Sequence, residues 1–296
     1  MAFKNLLDRL PHGSLAAASV AALLTGPVQA VTFIAPLDDT RWELEASKFS
    51  CRLSQPIPDF GTATFEHRAG EQLEFVISSP QAELLGDETL IMAEAPPWHP
   101  GRGTHRIGVI RDAVNSKSFR LQPPLAKDIL TSLYQGRMPA LTNQNWYGTD
   151  TAVKVAISAA NFQQAYSSYQ DCVGELLPVN FQQVARSAVL FPSAQWRLSD
   201  STRQRLDLVA LYVKNDPSVK TIYVDGHSDN LGRRLANRDL SRQRAEAVTR
   251  YLAKIGINEE MITTRYHGER YPVVKNSNSK NRARNRRVTV RLERDE

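Results

Sequence analysis

The sequence TIYVDGHSDNLGRRLANRDLSRQRAEAVTRYLAKIG, residues 221–256, decides the fold of the C-terminal half of the chain. It opens with a run of β-formers at 221–226, which predicts a buried strand. A polar loop with two glycines follows, and apolar residues at helical spacing over 237–255 predict a long helix. Gly256 ends this helix as its C-terminal cap. The stretch therefore predicts a strand, a loop and a helix that packs back onto the strand.

The segments around this stretch continue the alternation of strand and helix. Strands are predicted at 184–191, 221–226, 262–267 and 288–292, and helices at 199–215 and 237–255. The resulting order, βαβαββ, is typical of a two-layer α/β domain with its helices on one face of the sheet. We assign this domain to residues 176–296.

The helix predicted at 237–255 carries polar residues on its inward face. At 100° per residue, Asn237, Ser241 and Arg244 fall on the apolar stripe of the helix. The apolar members of the stripe are Leu240, Val248, Tyr251, Leu252 and Ile255. An inward guanidinium needs an anion, because leaving it desolvated and unpaired costs several kcal/mol. We therefore expect the first turns of the helix to border a cleft.

Asp229 lies in the loop that leads into this helix, so it could face Arg244 across a pocket at the strand end. Two interpretations are open. An arginine beside an aspartate suits a zwitterionic amino-acid group, since the guanidinium takes the carboxylate with two parallel hydrogen bonds and the aspartate takes the ammonium. Alternatively, the two side chains form a direct ion pair that serves only the fold. Their spacing does not decide between these interpretations.

The motifs of this half resemble those of the OmpA-like peptidoglycan-binding domain. The matching residues span nearly all of 178–292: 224–229, Gly232, Asn237, Leu240, Ser241, Arg244, Ala245, Gly256, Ile257, Gly268, Glu269, Pro272 and 285–288. That family binds peptidoglycan without a covalent bond, by gripping the diaminopimelate of the stem peptide. The resemblance implies that Asp229 and Arg244 hold this ligand and that Asn237, Ser228 and Arg286 line the pocket. Ser228 replaces the usual threonine and keeps its hydroxyl group.

Four arginines, Arg282, Arg284, Arg286 and Arg287, precede the last predicted strand. One interpretation is a solvated basic loop. The other is that the cluster attracts an acidic polymer and supplies one wall residue to the pocket. We expect a mixture, with Arg286 directed inward and the other three exposed.

Residues 31–175 are predicted to form a β-rich docking domain, either a sandwich or barrel-like. Short runs of β-formers alternate with Pro, Gly, Asn and Asp, a spacing typical of both architectures. The runs lie at 71–78, 89–93, 104–110, 118–121 and 151–157. Only 125–134 has a helical pattern. No nucleophile elbow, metal motif or phosphate loop occurs in this half, so we expect neither a cofactor nor a metal.

Residues 1–30 have the three parts of a secretory signal peptide. Lys4 and Arg9 supply the positive start, 14–26 supply a short apolar core, and 28–30 supply the small residues of a cleavage site. An N-terminal membrane anchor is the alternative, but the core is about half the roughly 20 residues that a span requires. We therefore expect export to the periplasm and a mature chain that begins at Val31.

The chain has two cysteines, Cys51 and Cys172, and both lie in the part predicted to be exported. An even pair outside the cytosol most often forms a disulfide. We therefore expect one bridge that ties the beginning of the first domain to its end.

Charge divides the chain into an acidic and a basic half. Residues 31–177 hold 12 Lys/Arg and 17 Asp/Glu, whereas residues 178–296 hold 23 and 13. The basic half favours an anionic surface or polymer. Export argues against nucleic acid and for cell-wall glycopeptide, lipid headgroups or lipopolysaccharide.

The whole layout is similar to that of the MotY family, the T-ring proteins of the flagellar motor. Its members pair an exported β-rich N-terminal domain with a C-terminal OmpA-like domain and have two cysteines, and the junction 176–181, LLPVNF, is similar to theirs. The resemblance implies that the N-terminal domain docks on the basal body and on a partner of the MotX type. It also implies that the protein helps to place stator units around the rotor. A generic exported wall anchor is the alternative.

An exported hydrolase is the enzyme alternative to a binding protein. His227 and Asp229 lie two residues apart and could be mistaken for a catalytic dyad. No serine or cysteine nucleophile motif accompanies them. We therefore expect a binding protein and not an enzyme.

Overall fold

The computed structural model describes residues 31–86, 88–101, 103–111, 117–143 and 153–295. Within these ranges, no helix is long and apolar enough to cross a membrane. The segment 1–30, predicted to be a signal peptide, lies outside the described residues, so its cleavage stays a prediction.

The N-terminal part contains two five-stranded sheets, which confirms the β-rich prediction. One sheet has the strand order β1-β10-β9-β6-β7 and the other β2-β3-β4-β5-β8. Apart from the parallel pair β1 and β10, neighbouring strands in both sheets are antiparallel. The strands are β1 (Val31–Phe33), β2 (Glu43–Ala46), β3 (Ser50–Ile57), β4 (Gly61–Arg68), β5 (Glu74–Ser78), β6 (Glu88–Glu94), β7 (His105–Arg111), β8 (Ser118–Leu121), β9 (Met138–Asn143) and β10 (Val153–Ala156).

Two helices, α1 (Pro123–Tyr134) and α2 (Phe162–Gly174), complete this domain. Both contribute to one apolar core that they share with the two sheets. Helix α1 was predicted, but α2 was not. Helix α2 packs on β2 and β3 and inserts the buried rings of Phe162 and Tyr169 into the core.

The predicted disulfide is confirmed. Cys51 of β3 is bonded to Cys172 of α2, and the two residues are 121 positions apart in the sequence. Cys51 is fully buried in the domain core. The bridge therefore joins the last helix of the domain to one of its first strands.

The C-terminal part confirms the predicted two-layer α/β fold. Its sheet has the order β11-β14-β12-β13, in which β12 and β13 are parallel and β14 is antiparallel to both of its neighbours. Helices α4 and α5 pack on each other and on the sheet, and the short helices α3 and α6 were not predicted. The elements are α3 (Phe181–Val184), β11 (Arg186–Leu190), α4 (Asp200–Asn215), β12 (Val219–Gly226), α5 (Arg234–Lys254), β13 (Ile262–Tyr266), α6 (Ser279–Asn285) and β14 (Arg287–Arg294).

The two parts meet along the turns that follow β2 and β4. Phe49 and Ala69 of the N-terminal part pack into the core of the C-terminal part, and the ring of Phe49 lies 5.5 Å from that of Tyr212. Leu176 packs against the first core and Leu177 lies in the second. Three hydrogen bonds cross the junction: Leu177 N to Lys48 O (3.0 Å), Asn180 Nδ2 to Glu71 Oε1 (2.8 Å) and Gln183 Nε2 to Gly70 O (3.0 Å). The division of the chain at residue 176 remains our proposal.

Candidate functional site

The candidate site lies where β12 ends and α5 begins. A Cβ atom on Gly226, the last residue of β12, would lie 2.1 Å from the carbonyl oxygen of Ser241 in α5. Only glycine therefore lets the helix approach the strand end this closely. The close approach places the inward face of α5 against the loop that follows Gly226.

Arg244 lies on that inward face and is fully buried. Its guanidinium donates three hydrogen bonds to backbone carbonyls: Nε to Gln195 (2.8 Å), Nη1 to His227 (3.1 Å) and Nη2 to Pro192 (3.0 Å). The predicted polar stripe is confirmed, since Asn237 and Ser241 are buried as well. The anion expected beside the guanidinium is replaced by carbonyl oxygens, which satisfy three of its five N–H groups.

Asp229 pairs with Arg286 and not with Arg244. Its Oδ2 accepts a hydrogen bond from Arg286 Nη1 at 2.9 Å, and its Oδ1 accepts one from the backbone N–H of Leu231 at 3.1 Å. Arg286 is held in turn by the carbonyl of Phe191, 3.1 Å from its Nε. The side chains of Asp229 and Arg286 are only 7% and 15% exposed, so Arg286 is directed inward as predicted. Among the described residues, no direct ion pair joins Asp229 to Arg244.

The three charged groups form one cluster with an excess positive charge. Burial, and to a smaller extent the neighbouring charge of Arg286, lower the pKa of Arg244 to about 10, and the carboxylate of Asp229 opposes both effects. Arg244 therefore stays charged at neutral pH. Two guanidinium groups and one carboxylate leave a net charge of about plus one, which favours an additional anion.

The two remaining predicted site residues have different partners. Asn237 donates from Nδ2 to Glu269 Oε2 at 2.6 Å, and Ser228 donates from Oγ to the backbone carbonyl of Asp229 at 3.0 Å. Ser228 thus braces the backbone that carries the carboxylate. Asn237 ties the first turn of α5 to the segment after β13.

The arginine cluster before β14 is only partly as predicted. Arg284 is exposed as predicted, whereas Arg282 is half-buried. Arg287 is only 8% exposed, so the prediction that it faces solvent is wrong. Arg287 begins β14, where its side chain donates to the carbonyl of Tyr271 at 3.2 Å. A strand residue inside a sheet has less access to water than the loop residue that we expected.

Two histidines beside the site were missed as a pair. The rings of His227 and His267 stack with their centres 5.0 Å apart, and His267 Nε2 lies 2.9 Å from Asp225 Oδ1. Burial lowers the pKa of His227 to about 4, and the charges of Arg287 and His267 act in the same direction. His227 is therefore neutral at pH 7. The position of His227 directly before Ser228 places it beside the site, but no local sequence pattern indicates that His267 stacks on it.

Comparison with known proteins first defines the class. Residues 190–286 match the model of the OmpA family. Outer membrane protein A of Bordetella avium is 32% identical over 115 residues, which cover 39% of this chain and 59% of that protein. The crystal structure of the peptidoglycan-associated lipoprotein from Burkholderia pseudomallei is similar at 27% identity and a TM-score of 0.36, and it covers 38% of this chain and 93% of that one. The C-terminal domain thus belongs to the OmpA family.

The N-terminal domain then narrows the identification. Residues 33–178 match the model of the MotY N-terminal domain. The sodium-type flagellar protein MotY of Vibrio parahaemolyticus is 27% identical over 268 residues, which cover 88% of this chain and 89% of that protein. The chain therefore joins a MotY N-terminal domain to an OmpA-family domain.

Proposed function

We propose that this protein is a periplasmic component of the flagellar motor, in the T ring, and that its C-terminal domain anchors it to peptidoglycan. Its N-terminal domain docks on the basal body and on a MotX-type partner, and the anchored protein helps to position stator units around the rotor. Similarity to a flagellar protein over 88% of the chain supports the place in the motor. The buried cluster of Asp229, Arg244 and Arg286 supports the anchoring role.

The cluster suits the two charges of a diaminopimelate side chain. Arg244 has five N–H groups, and the described contacts use three, which leaves one on each Nη atom for a bidentate carboxylate. Asp229 supplies the negative charge for the ligand ammonium, and Arg286 holds this carboxylate in place at 2.9 Å. The observation that carries the proposal is the excess of buried guanidinium over carboxylate in this cluster.

We expect Asp229→Asn to abolish co-sedimentation of the mature protein with purified peptidoglycan. The amide keeps the size of the carboxylate and one acceptor oxygen but loses the charge that attracts an ammonium group. Asp239→Asn is the matched control, because Asp239 lies nearby on α5 and its carboxylate is paired with Arg242 at the surface. Unchanged sedimentation of Asp229→Asn, with thermal unfolding as in the wild type, would remove Asp229 from the site.

A deletion strain should assemble flagella but fail to swim. Without this protein, stator units should not be held around the rotor, although filament assembly does not need them. The measurement is swimming speed together with the number of fluorescent stator foci at the flagellar base. A strain that swims normally would contradict the proposed place in the motor and favour the alternative, a generic exported wall anchor.

A further inference from the structure

A groove of about 730 Å³ lies beside the candidate site, between the start of α5 and the segment after β13. The helix contributes Arg234, Leu235 and Arg238 to one wall. The facing wall consists of residues 266–270, from Tyr266 to Arg270. Leu235 is 80% exposed and Tyr266 is 39% exposed, so the groove offers apolar surface as well as charge.

The groove is strongly cationic. Among the described residues, no carboxylate lies within ion-pair distance of Arg234, Arg238 or Arg270. By contrast, Arg242, one turn further along α5, is paired with Asp239 at 2.6 Å. The guanidinium of Arg238 lies over the ring of Tyr266 at 5.5 Å, which holds one cation against the facing wall. Three unpaired guanidinium groups around one groove favour an anionic ligand.

Hydrogen bonds connect the floor of this groove to the candidate site. The backbone of Gly268 accepts from Ser228 N at 2.9 Å and donates to Ser241 Oγ at 3.0 Å. Glu269, which also lines the groove, is held by Asn237 at 2.6 Å and offsets one of the three arginine charges, so the groove keeps a net charge of about plus two. A ligand in the site and a ligand in the groove would therefore touch opposite sides of the same short segment.

We propose that the groove binds a second carboxylate of the stem peptide while the buried cluster holds diaminopimelate. This inference rests on the proposed wall-binding function. A stem peptide offers such a group on either side of diaminopimelate, namely the free carboxylate of the preceding D-glutamyl residue and the carboxylate at the C-terminus. An extended chain advances about 3.5 Å per residue, so either group lies within one residue of the held amino acid. The groove thus adds selectivity for an unamidated stem.

The test is calorimetric titration of the mature protein with four synthetic peptides. They are L-Ala-γ-D-Glu-diaminopimelyl-D-Ala, the same peptide with the D-glutamyl carboxylate amidated, the same peptide with its D-alanyl C-terminus amidated, and the doubly amidated form. The double variant Arg234→Gln/Arg238→Gln removes two groove charges. Arg250→Gln is the control, because Arg250 lies on the same helix outside the groove and faces Glu246 at 3.6 Å.

We expect the wild type and Arg250→Gln to bind the free peptide about threefold to tenfold more tightly than the doubly amidated form. The double variant should lose this preference and keep the affinity of the wild type for the doubly amidated peptide. The preference should also shrink as salt is raised. The singly amidated peptides identify which carboxylate is bound.

Two results would overturn the inference and separate it from the proposed function. If the wild type binds all four peptides with equal affinity, the groove does not bind a carboxylate, whereas the proposal that the buried cluster binds diaminopimelate would stand. If the double variant still prefers the free peptide to the doubly amidated form, Arg234 and Arg238 do not bind the carboxylate and the inference is wrong. If the wild type binds none of the peptides, both the groove and the wall-binding function are wrong.

Discussion

Replacing Cys51 and Cys172 together by alanine should lower the free energy of unfolding by about 4 kcal/mol, because the bridge closes a loop of more than 100 residues. The bridged residues lie 121 positions apart, and the chain-entropy model assigns its largest effects to such separations. Cys51 is fully buried, so alanine avoids placing a hydroxyl group in the core. The measurement is urea unfolding of the mature protein followed by tryptophan fluorescence.

The control for this experiment is the wild type under reducing conditions, which should approach the stability of the double variant. Thiol labelling of the unfolded, unreduced wild type should find no free cysteine, since the described chain has none. Equal unfolding midpoints for the wild type and the double variant would show that the bridge does not stabilise the domain.

Arg244→Ala should both abolish peptidoglycan binding and destabilise the C-terminal domain by about 2 to 4 kcal/mol, because it opens a cavity and leaves a buried carbonyl without its donor. The substitution leaves the carbonyls of Pro192, Gln195 and His227 without their donor. His227 is buried, whereas Pro192 and Gln195 are exposed residues whose carbonyls water can reach. Each unsatisfied buried group costs about 1 to 3 kcal/mol, and entry of water offsets part of the sum. Thermal unfolding and sedimentation with peptidoglycan measure the two effects.

Arg242→Ala is the control for Arg244→Ala, because Arg242 is exposed on the same helix and pairs only with Asp239 among the described residues. It should unfold and bind as the wild type does. Arg244→Lys should recover part of the stability but little binding, since an ammonium group cannot present the planar fork of a guanidinium. A fully stable Arg244→Ala variant would contradict the role given to the three carbonyl contacts.

The strand, the loop and the long helix around residue 229 were predictable because local signals agree there. The β-formers of β12, the glycines of the loop and the helical spacing in α5 all indicate the same arrangement. The same spacing placed Arg244 on the inward face, where it is fully buried. Helix α5 begins at Arg234, three residues before the predicted start. The large apolar residue of this first turn, Leu235, is 80% exposed and lies off the inward stripe, so it adds nothing to the periodic signal.

Helix α2 escaped prediction because its own sequence favours a helix only weakly. Nine of its 13 residues are Phe, Tyr, Ser, Asp, Cys, Val or Gly, which are weaker helix formers than Ala, Leu or Gln. Its position depends on the burial of Phe162 and Tyr169 against β2 and β3 and on the bond from Cys172. These are contacts with residues more than 100 positions away, which no local pattern contains.

The partners of the candidate site residues could not be predicted for a similar reason. Arg244 is bound by carbonyls that lie 49 and 52 residues earlier in the chain, and Asp229 is bound by Arg286, 57 residues later. Backbone carbonyls carry no residue-specific signal. Sequence spacing therefore suggested that Asp229 and Arg244 face each other, whereas tertiary packing provided each with a different partner.

The two domains are joined without a flexible linker. Leu176 belongs to one core, Leu177 belongs to the other, and Phe49 bridges them through Tyr212. If the C-terminal domain binds the wall as proposed, a force applied to it would reach the N-terminal sheets through packed side chains. The joint would then transmit the force as a stiff connection and not as an extensible linker.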